Sequence, residues 1–236
     1  MQGKLFHQPS WAQSSRGSAI EMYSKTHSRD GKATSLILFV GGVHGDEPEG
    51  VRLATEFLQW LKTTEESTPD LIQHSWSLIP CLNVDGFSRN ERVNGHGVDL
   101  NRNFPSRDWS PEHKAPRYYP GPQPASEPEI QALVHWIETS KPNLIVHFHS
   151  WKPCIVYTGT GVEEIAKTLA GTTGYPAHED IGYPTPGSLG QFGWLEHGVP
   201  VICIEEQDGI ELDKVWPHFG PGLKALMMAA DLLGGR

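Results

Sequence analysis

Ser35-Leu36-Ile37-Leu38-Phe39-Val40-Gly41-Gly42-Val43-His44-Gly45-Asp46-Glu47 decides the fold. The apolar run, bounded by a glycine pair, reads as a buried strand. Gly41, Gly42 and Gly45 let the chain turn tightly behind it. A helix follows from about Pro48 to Leu61, because Val51, Ala54, Leu58 and Leu61 recur at helical spacing. His44 and Glu47 stand at the strand's carboxyl end, and an imidazole and a carboxylate three residues apart can reach one metal ion. That donor pair suits zinc, and a catalytic zinc site takes three protein ligands and keeps one open position.

Working outward, apolar runs alternate with helical patterns. The predicted fold is a single-domain three-layer α/β/α arrangement with a mixed, mostly parallel central sheet. Further strands are expected at Ala19–Tyr23, Trp76–Leu82, Leu144–His149, Cys154–Thr158 and Val199–Glu205. A helix is signalled by a capping box, Ser126 with Glu129, ahead of Ile130, Leu133, Val134 and Ile137. Others are expected at Glu163–Ala170, Ser188–Glu196 and Gly222–Leu233. Pro105–Ala125, rich in proline and aromatics, reads as an ordered surface loop. The domain organisation expected is an N-terminal segment, 1–18, ahead of one catalytic domain, 19–236.

Composition narrows the function. A chain of 236 residues with a formal net charge of -9 lacks the clustered Lys and Arg that nucleic acid or a membrane surface requires. No apolar run approaches the ~20 residues needed to span a bilayer. Met1–Ser18 is polar and has no leader-like apolar run. Cys81, Cys154 and Cys203 are scattered in apolar surroundings and read as reduced thiols. Together these give a cytoplasmic expectation.

The third ligand comes from the segment ending in His147-Phe148-His149. Both histidines point to one side of an extended strand. The one at the strand's end is better placed for an open site, so His149 is the expected ligand and His147 reads as a supporting or core histidine. Glu205 ends another predicted strand, and ligands in such sheets bind beyond those ends. Gly97-Val98-Asp99-Leu100-Asn101-Arg102-Asn103-Phe104-Pro105 adds a carboxylate, an amide and a guanidinium within four positions. Asn101 and Arg102 suit an anionic substrate group, since guanidinium grips a carboxylate bidentately. Asp99 is suited to accept the spare N–H of a metal-bound His44.

These motifs resemble the zinc carboxypeptidases of the carboxypeptidase A type. In that family His-x-x-Glu follows a strand, an Asn-Arg pair lies downstream, a third His precedes Ser or Asp, and a catalytic Glu ends a later strand. The matching positions are His44 and Glu47, Asn101 and Arg102, His149 before Ser150, and Glu205. The likeness runs from about Ala19 to the C-terminus. Arg92–Pro105, Ser126–Glu129 and Gly182–Ser188 are similar to the short bacterial murein peptide amidase branch. The resemblance implies one zinc ion, Glu205 as general base, Arg92 as the oxyanion partner, and Asn101 with Arg102 on the substrate's free carboxylate. It implies a small-peptide substrate, the γ-D-glutamyl–meso-diaminopimelate amide of free murein tripeptide. Ile181–Trp194, with Tyr183, is the candidate specificity loop, and Trp109, Tyr118 and Tyr119 are candidates for the rim. Glu206 departs from the apolar residue common after the base, and strand alternation favours Glu205 over it. An N-acyl amino-acid hydrolase of the desuccinylase or aspartoacylase kind shares the ligand spacing, and a general metallocarboxypeptidase is the other alternative.

Overall fold

Leu36–Val40 is a strand whose alternate side chains enter two separate cores. Ile37 and Phe39 join one cluster, and Leu38 and Val40 the other. This division repeats across the sheet and produces three layers. The computed structural model describes residues 4–29 and 31–230. In chain order the strands are β1 (Phe6–Gln13), β2 (Ala19–Lys25), the short pair β3 (Ser28–Arg29) and β4 (Lys32–Ala33), β5 (Leu36–Val40), β6 (Ser75–Ile79), β7 (Leu144–Trp151), β8 (Cys154–Thr158), β9 (Ala177–His178) and β10 (Val201–Gln207). The helices are α1 (Pro48–Ser67), α2 (Val84–Arg89), α3 (Pro128–Ser140), α4 (Glu163–Ala170), α5 (Leu189–His197) and α6 (Leu212–Met228).

The central sheet has eight strands in the order β1-β2-β6-β5-β7-β10-β8-β9. It is parallel through β6, β5, β7 and β10 and between β8 and β9, and antiparallel at the other pairs. Helices α1, α4 and α6 cover one face, where Phe57, Leu61, Leu169, Phe219 and Leu223 meet Phe39, Val146 and Ile204. Helices α3 and α5 cover the other with Ile130, Leu133, Leu189 and Phe192. No helix among the described residues is long and apolar enough to cross a membrane.

Strands β3, β4 and β9 and helix α2 have no counterpart among the expected elements, and three further differences have a physical reason. No element is predicted over Phe6–Gln13, which forms β1 at the sheet edge. Among the described residues its one ladder is with β2, interrupted between Gln8 and Ala12, and Pro9 is tolerated because one side of an edge strand has no partner to bond. The capping box does not form. Glu127 is the N-cap residue, and the Ser126 hydroxyl donates to the Glu127 carboxylate at 2.7 Å. Glu129 turns instead to the Ser15 amide at 2.8 Å, and Pro128 in the first turn has no N–H to cap. Helix α6 starts ten residues before Gly222 and runs through Pro217 and Pro221. Burial of Val215, Phe219 and Leu223 outweighs the lost helical hydrogen bonds. Gly222 has a packing reason, since a Cβ there would lie 2.9 Å from the Leu169 Cα of α4. The expected end at Leu233 lies outside the described residues.

Candidate metal centre and active site

Helix α1 leads from β5 to β6 across one face of the sheet, whereas α3 precedes β7 on the other. Strand order therefore reverses between β5 and β7, and at such a switch point the carboxyl ends splay into a crevice. His44 and Glu47 follow β5, and His149 lies near the end of β7. Helix α1 can begin that close to β7 because residue 50 is glycine. A Cβ there would sit 2.4 Å from the Phe148 carbonyl oxygen.

The three side chains converge. His44 Nδ1 lies 2.7 Å from Glu47 Oε1, His149 Nδ1 lies 2.7 Å from Glu47 Oε2, and the two Nδ1 atoms are 3.0 Å apart. All are buried. The far nitrogens have their own partners: His44 Nε2 lies 3.1 Å from Asp99 Oδ1, and His149 Nε2 lies 2.9 Å from His147 Nδ1. With the protons of neutral rings on those far nitrogens, both Nδ1 atoms bring lone pairs to one point beside a carboxylate. Such an arrangement repels itself unless a cation sits within it. Two imidazoles and one carboxylate are a zinc donor set with a position to spare.

The surrounding charges are tied to this point. Asp99 is fully buried, and it accepts from Arg92 Nε at 2.9 Å and from the Asn101 amide at 3.0 Å as well as facing His44. Burial alone would raise its pKa, but Arg92 and His44 hold it well below the usual carboxylate range. Arg92 Nη1 reaches Glu47 Oε1 at 3.3 Å, so one guanidinium bridges two acidic groups at the centre's edge. For Glu47 too, burial opposes ionisation and is overcome by His44 and then His149, leaving its pKa well below the ordinary value.

Glu205 lies on β10 in register with His149 of β7. Its Oε1 accepts from the Cys203 thiol at 3.3 Å, and its Oε2 is buried with no hydrogen-bond partner among the described residues. Burial, then the charge of Glu47, pushes this carboxyl up to about 8. Glu206 points to the opposite face, where it accepts from the Tyr175 hydroxyl at 2.6 Å and lies 2.8 Å from His218 Nδ1.

His44, Glu47, Arg92 and Glu205 open on one cavity of about 250 Å³. Its walls include Arg92, Asn101, Arg102, Tyr183 and Glu205. The Asn101 carboxamide is oriented by the Leu189 amide, which donates to Oδ1 at 3.0 Å and leaves the NH2 as a donor. From the expected specificity loop, Ile181, Tyr183, Thr185, Ser188, Gly190 and Gln191 line the space. Of the expected rim aromatics only Tyr118 does. Trp109 packs beside Gly187, and Tyr119 packs on His113. Trp151, Arg117 and Asp46 also line it, and none was marked by the sequence. Arg117 donates to Asp46 at 3.0 Å across 71 residues, and no local pattern signals that pair.

A family model described as zinc carboxypeptidase matches residues 3–191. Murein peptide amidase A of Escherichia coli K12 is 34% identical over 166 residues, which cover 66% of this chain and 64% of that protein. The aligned region thus spans just under two thirds of that relative's length. The Vibrio campbellii protein of the same name is 30% identical over 187 residues, covering 74% and 70% of the two chains. Among solved structures, murein-tripeptide amidase MpaA from Escherichia coli O157 superposes with a TM-score of 0.75 at 28% identity, covering 94% of this chain and 92% of that one. A carboxypeptidase A from Helicoverpa armigera gives 0.80 at 16% identity, covering 98% and 69%, and so shares the fold.

Proposed function

The chain belongs to the zinc carboxypeptidase family, and from that membership we propose that it is a zinc-dependent amidase that cleaves the γ-D-glutamyl–meso-diaminopimelate bond of free murein tripeptide, serving cell-wall recycling. One observation carries this reading. The donors of His44, Glu47 and His149 converge, and His44, Glu47 and Glu205, whose Oε2 has no partner among the described residues, line one cavity with an arginine–asparagine pair suited to a free carboxylate. The similarity to two proteins named murein peptide amidase A supports the substrate class.

His44, Glu47 and His149 would hold the ion. Zinc bound there supplies a Lewis acid that lowers the pKa of water from about 15.7 toward ~7 and polarises a carbonyl. Glu205 removes the proton from the attacking water and later delivers it to the departing amine of diaminopimelate. Its dry surroundings suit both acts, because a carboxylate in poor solvation takes up a proton readily. Arg92, bridged to Glu47 and Asp99, presents a fixed positive charge to the developing oxyanion. Loss of such a donor costs on the order of 3 kcal/mol. Asn101 and Arg102 hold the carboxylate next to the scissile amide, so that only a chain end sits correctly. Asp99 keeps the His44 ring in one tautomer and orientation.

Incubation with L-alanyl-γ-D-glutamyl-meso-diaminopimelate should release free diaminopimelate and L-alanyl-D-glutamate by mass analysis, and a chelator should abolish release. Cleavage of N-succinyl or N-acetyl amino acids, or of ordinary L-peptides, with the tripeptide left intact, would overturn the proposal.

A further inference from the structure

We infer that His147 reads the substrate: its Nε2–H donates to the distal carboxylate of the released diaminopimelate. This rests on the amidase reading above and assigns a specificity residue to it.

The inference starts from proton placement. His149 turns Nδ1 to the metal centre, so its proton sits on Nε2, 2.9 Å from His147 Nδ1. His147 Nδ1 must accept that proton, because a second N–H there would face the first head-on. The His147 proton is therefore on Nε2. Its one hydrogen bond among the described residues is the Nδ1 contact, and the residue forms part of the cavity floor. A buried imidazole is thus locked as a donor toward the cavity by the same ring that serves the metal.

The floor around it comes from adjacent strands in register: Cys203 lies opposite His147 on one side and Val156 on the other, with Val201 opposite Thr158. With Gln191 from α5 these residues line the cavity, and none of them is an acid. A side chain ending in an ammonium alone finds no counter-charge there. Diaminopimelate differs from lysine by one carboxylate on its ε-carbon, and that group gives His147 an acceptor to bind. A polar group left unpaired is what makes a site reject the analogue that lacks its partner.

The test compares γ-D-glutamyl-meso-diaminopimelate with γ-D-glutamyl-L-lysine peptides, using wild type, His147→Phe and His147→Gln, with zinc content matched by metal analysis. The expected result is a 10- to 100-fold fall in kcat/KM for the diaminopimelate peptide in His147→Phe, carried mostly by KM. The lysine peptide should change less than about threefold, and the glutamine variant should recover part of the loss. An equal fall on both peptides would overturn the inference. A second readout needs no turnover. Long-range 1H–15N spectra of the zinc-loaded protein should place the His147 proton on Nε2 and show it shifting with free diaminopimelate but not with lysine. A proton on Nδ1 would overturn it. If wild type cleaves neither peptide, the amidase reading fails, and the spectra still decide the role of His147.

Discussion

At the scale of single residues, Glu205 holds the sharpest tension. The proposed reaction needs its carboxylate ionised, yet it is desolvated and faces Glu47, with one oxygen unpartnered among the described residues. Its pKa rises from the ordinary 4.5 to about 8 in the metal-free fold. The protonated form is the one the fold favours. Below about pH 4.5 folded and unfolded chains are both protonated there, and the contribution is fully present. Between there and about pH 8 the unfolded chain ionises first, and stability falls by up to about 1.4 kcal/mol per pH unit. Metal-free wild type should therefore lose melting temperature relative to metal-free Glu205→Gln as pH rises from about 5 to about 9, by calorimetry. Parallel pH profiles of the two proteins would refute this. The same variant, loaded with zinc, should keep its metal and lose roughly a hundredfold or more in kcat. That His44, Glu47, His149 and Glu205 come together was legible in sequence, because short motifs at strand ends carry them. The direction of Glu205 was legible for the same reason, since alternation along β10 separates it from Glu206.

At the scale of elements, the site depends on how strand ends are tied together, and this was mostly illegible. Glu49, in the first turn of α1, accepts from Ser150 Oγ at 2.6 Å and from the Gly209 amide at 2.9 Å. One buried carboxylate thereby joins the end of β7, which carries His149, to the turn after β10, which carries Glu205. Those contacts span 101 and 160 residues, and no sequence pattern announces them. Glu49→Ala leaves the buried Ser150 hydroxyl unpaired, at about 1–3 kcal/mol, and frees the amide of the exposed turn at Gly209. We expect a drop of a few degrees in melting temperature together with a loss of kcat larger than the change in KM. A stable variant with only KM raised would show that Glu49 does not position the reacting groups. Where an element's own pattern was strong, sequence and structure coincide: Cys154–Thr158 and Glu163–Ala170 have the expected bounds. Where tertiary contact overrides local preference they part. Strand β1 carries Pro9 and few apolar residues, and α6 keeps its helical course through two prolines because its apolar face fills the groove beside α1 and α4.

At the scale of the whole molecule, a cation held by His44, Glu47 and His149 would be a cross-link as well as a reagent. His44 and Glu47 lie on the connection leaving β5 and His149 on β7, 105 residues from His44, at the point where the sheet's winding reverses. In the metal-free chain that junction holds two imidazoles, a carboxylate and the buried Arg92–Asp99 pair, with Arg92 the one cation paired to both Glu47 and Asp99 among the described residues. A cation binding the folded form alone adds RT ln(1 + [L]/Kd), about 4 kcal/mol at a thousandfold excess over Kd. For a chain of this size that corresponds to a rise on the order of 10 °C in melting temperature. Removing metal with a chelator should lower the midpoint by that amount, and zinc should restore it together with activity. His149→Ala, with the third donor gone, should show little metal-dependent shift. The distinction from a surface-bound ion lies in cooperativity. A cation joining β5 to β7 raises the single transition of the entire domain, because both cores meet at those strands. A cation held loosely at the rim would leave the midpoint where it was while changing only the rate.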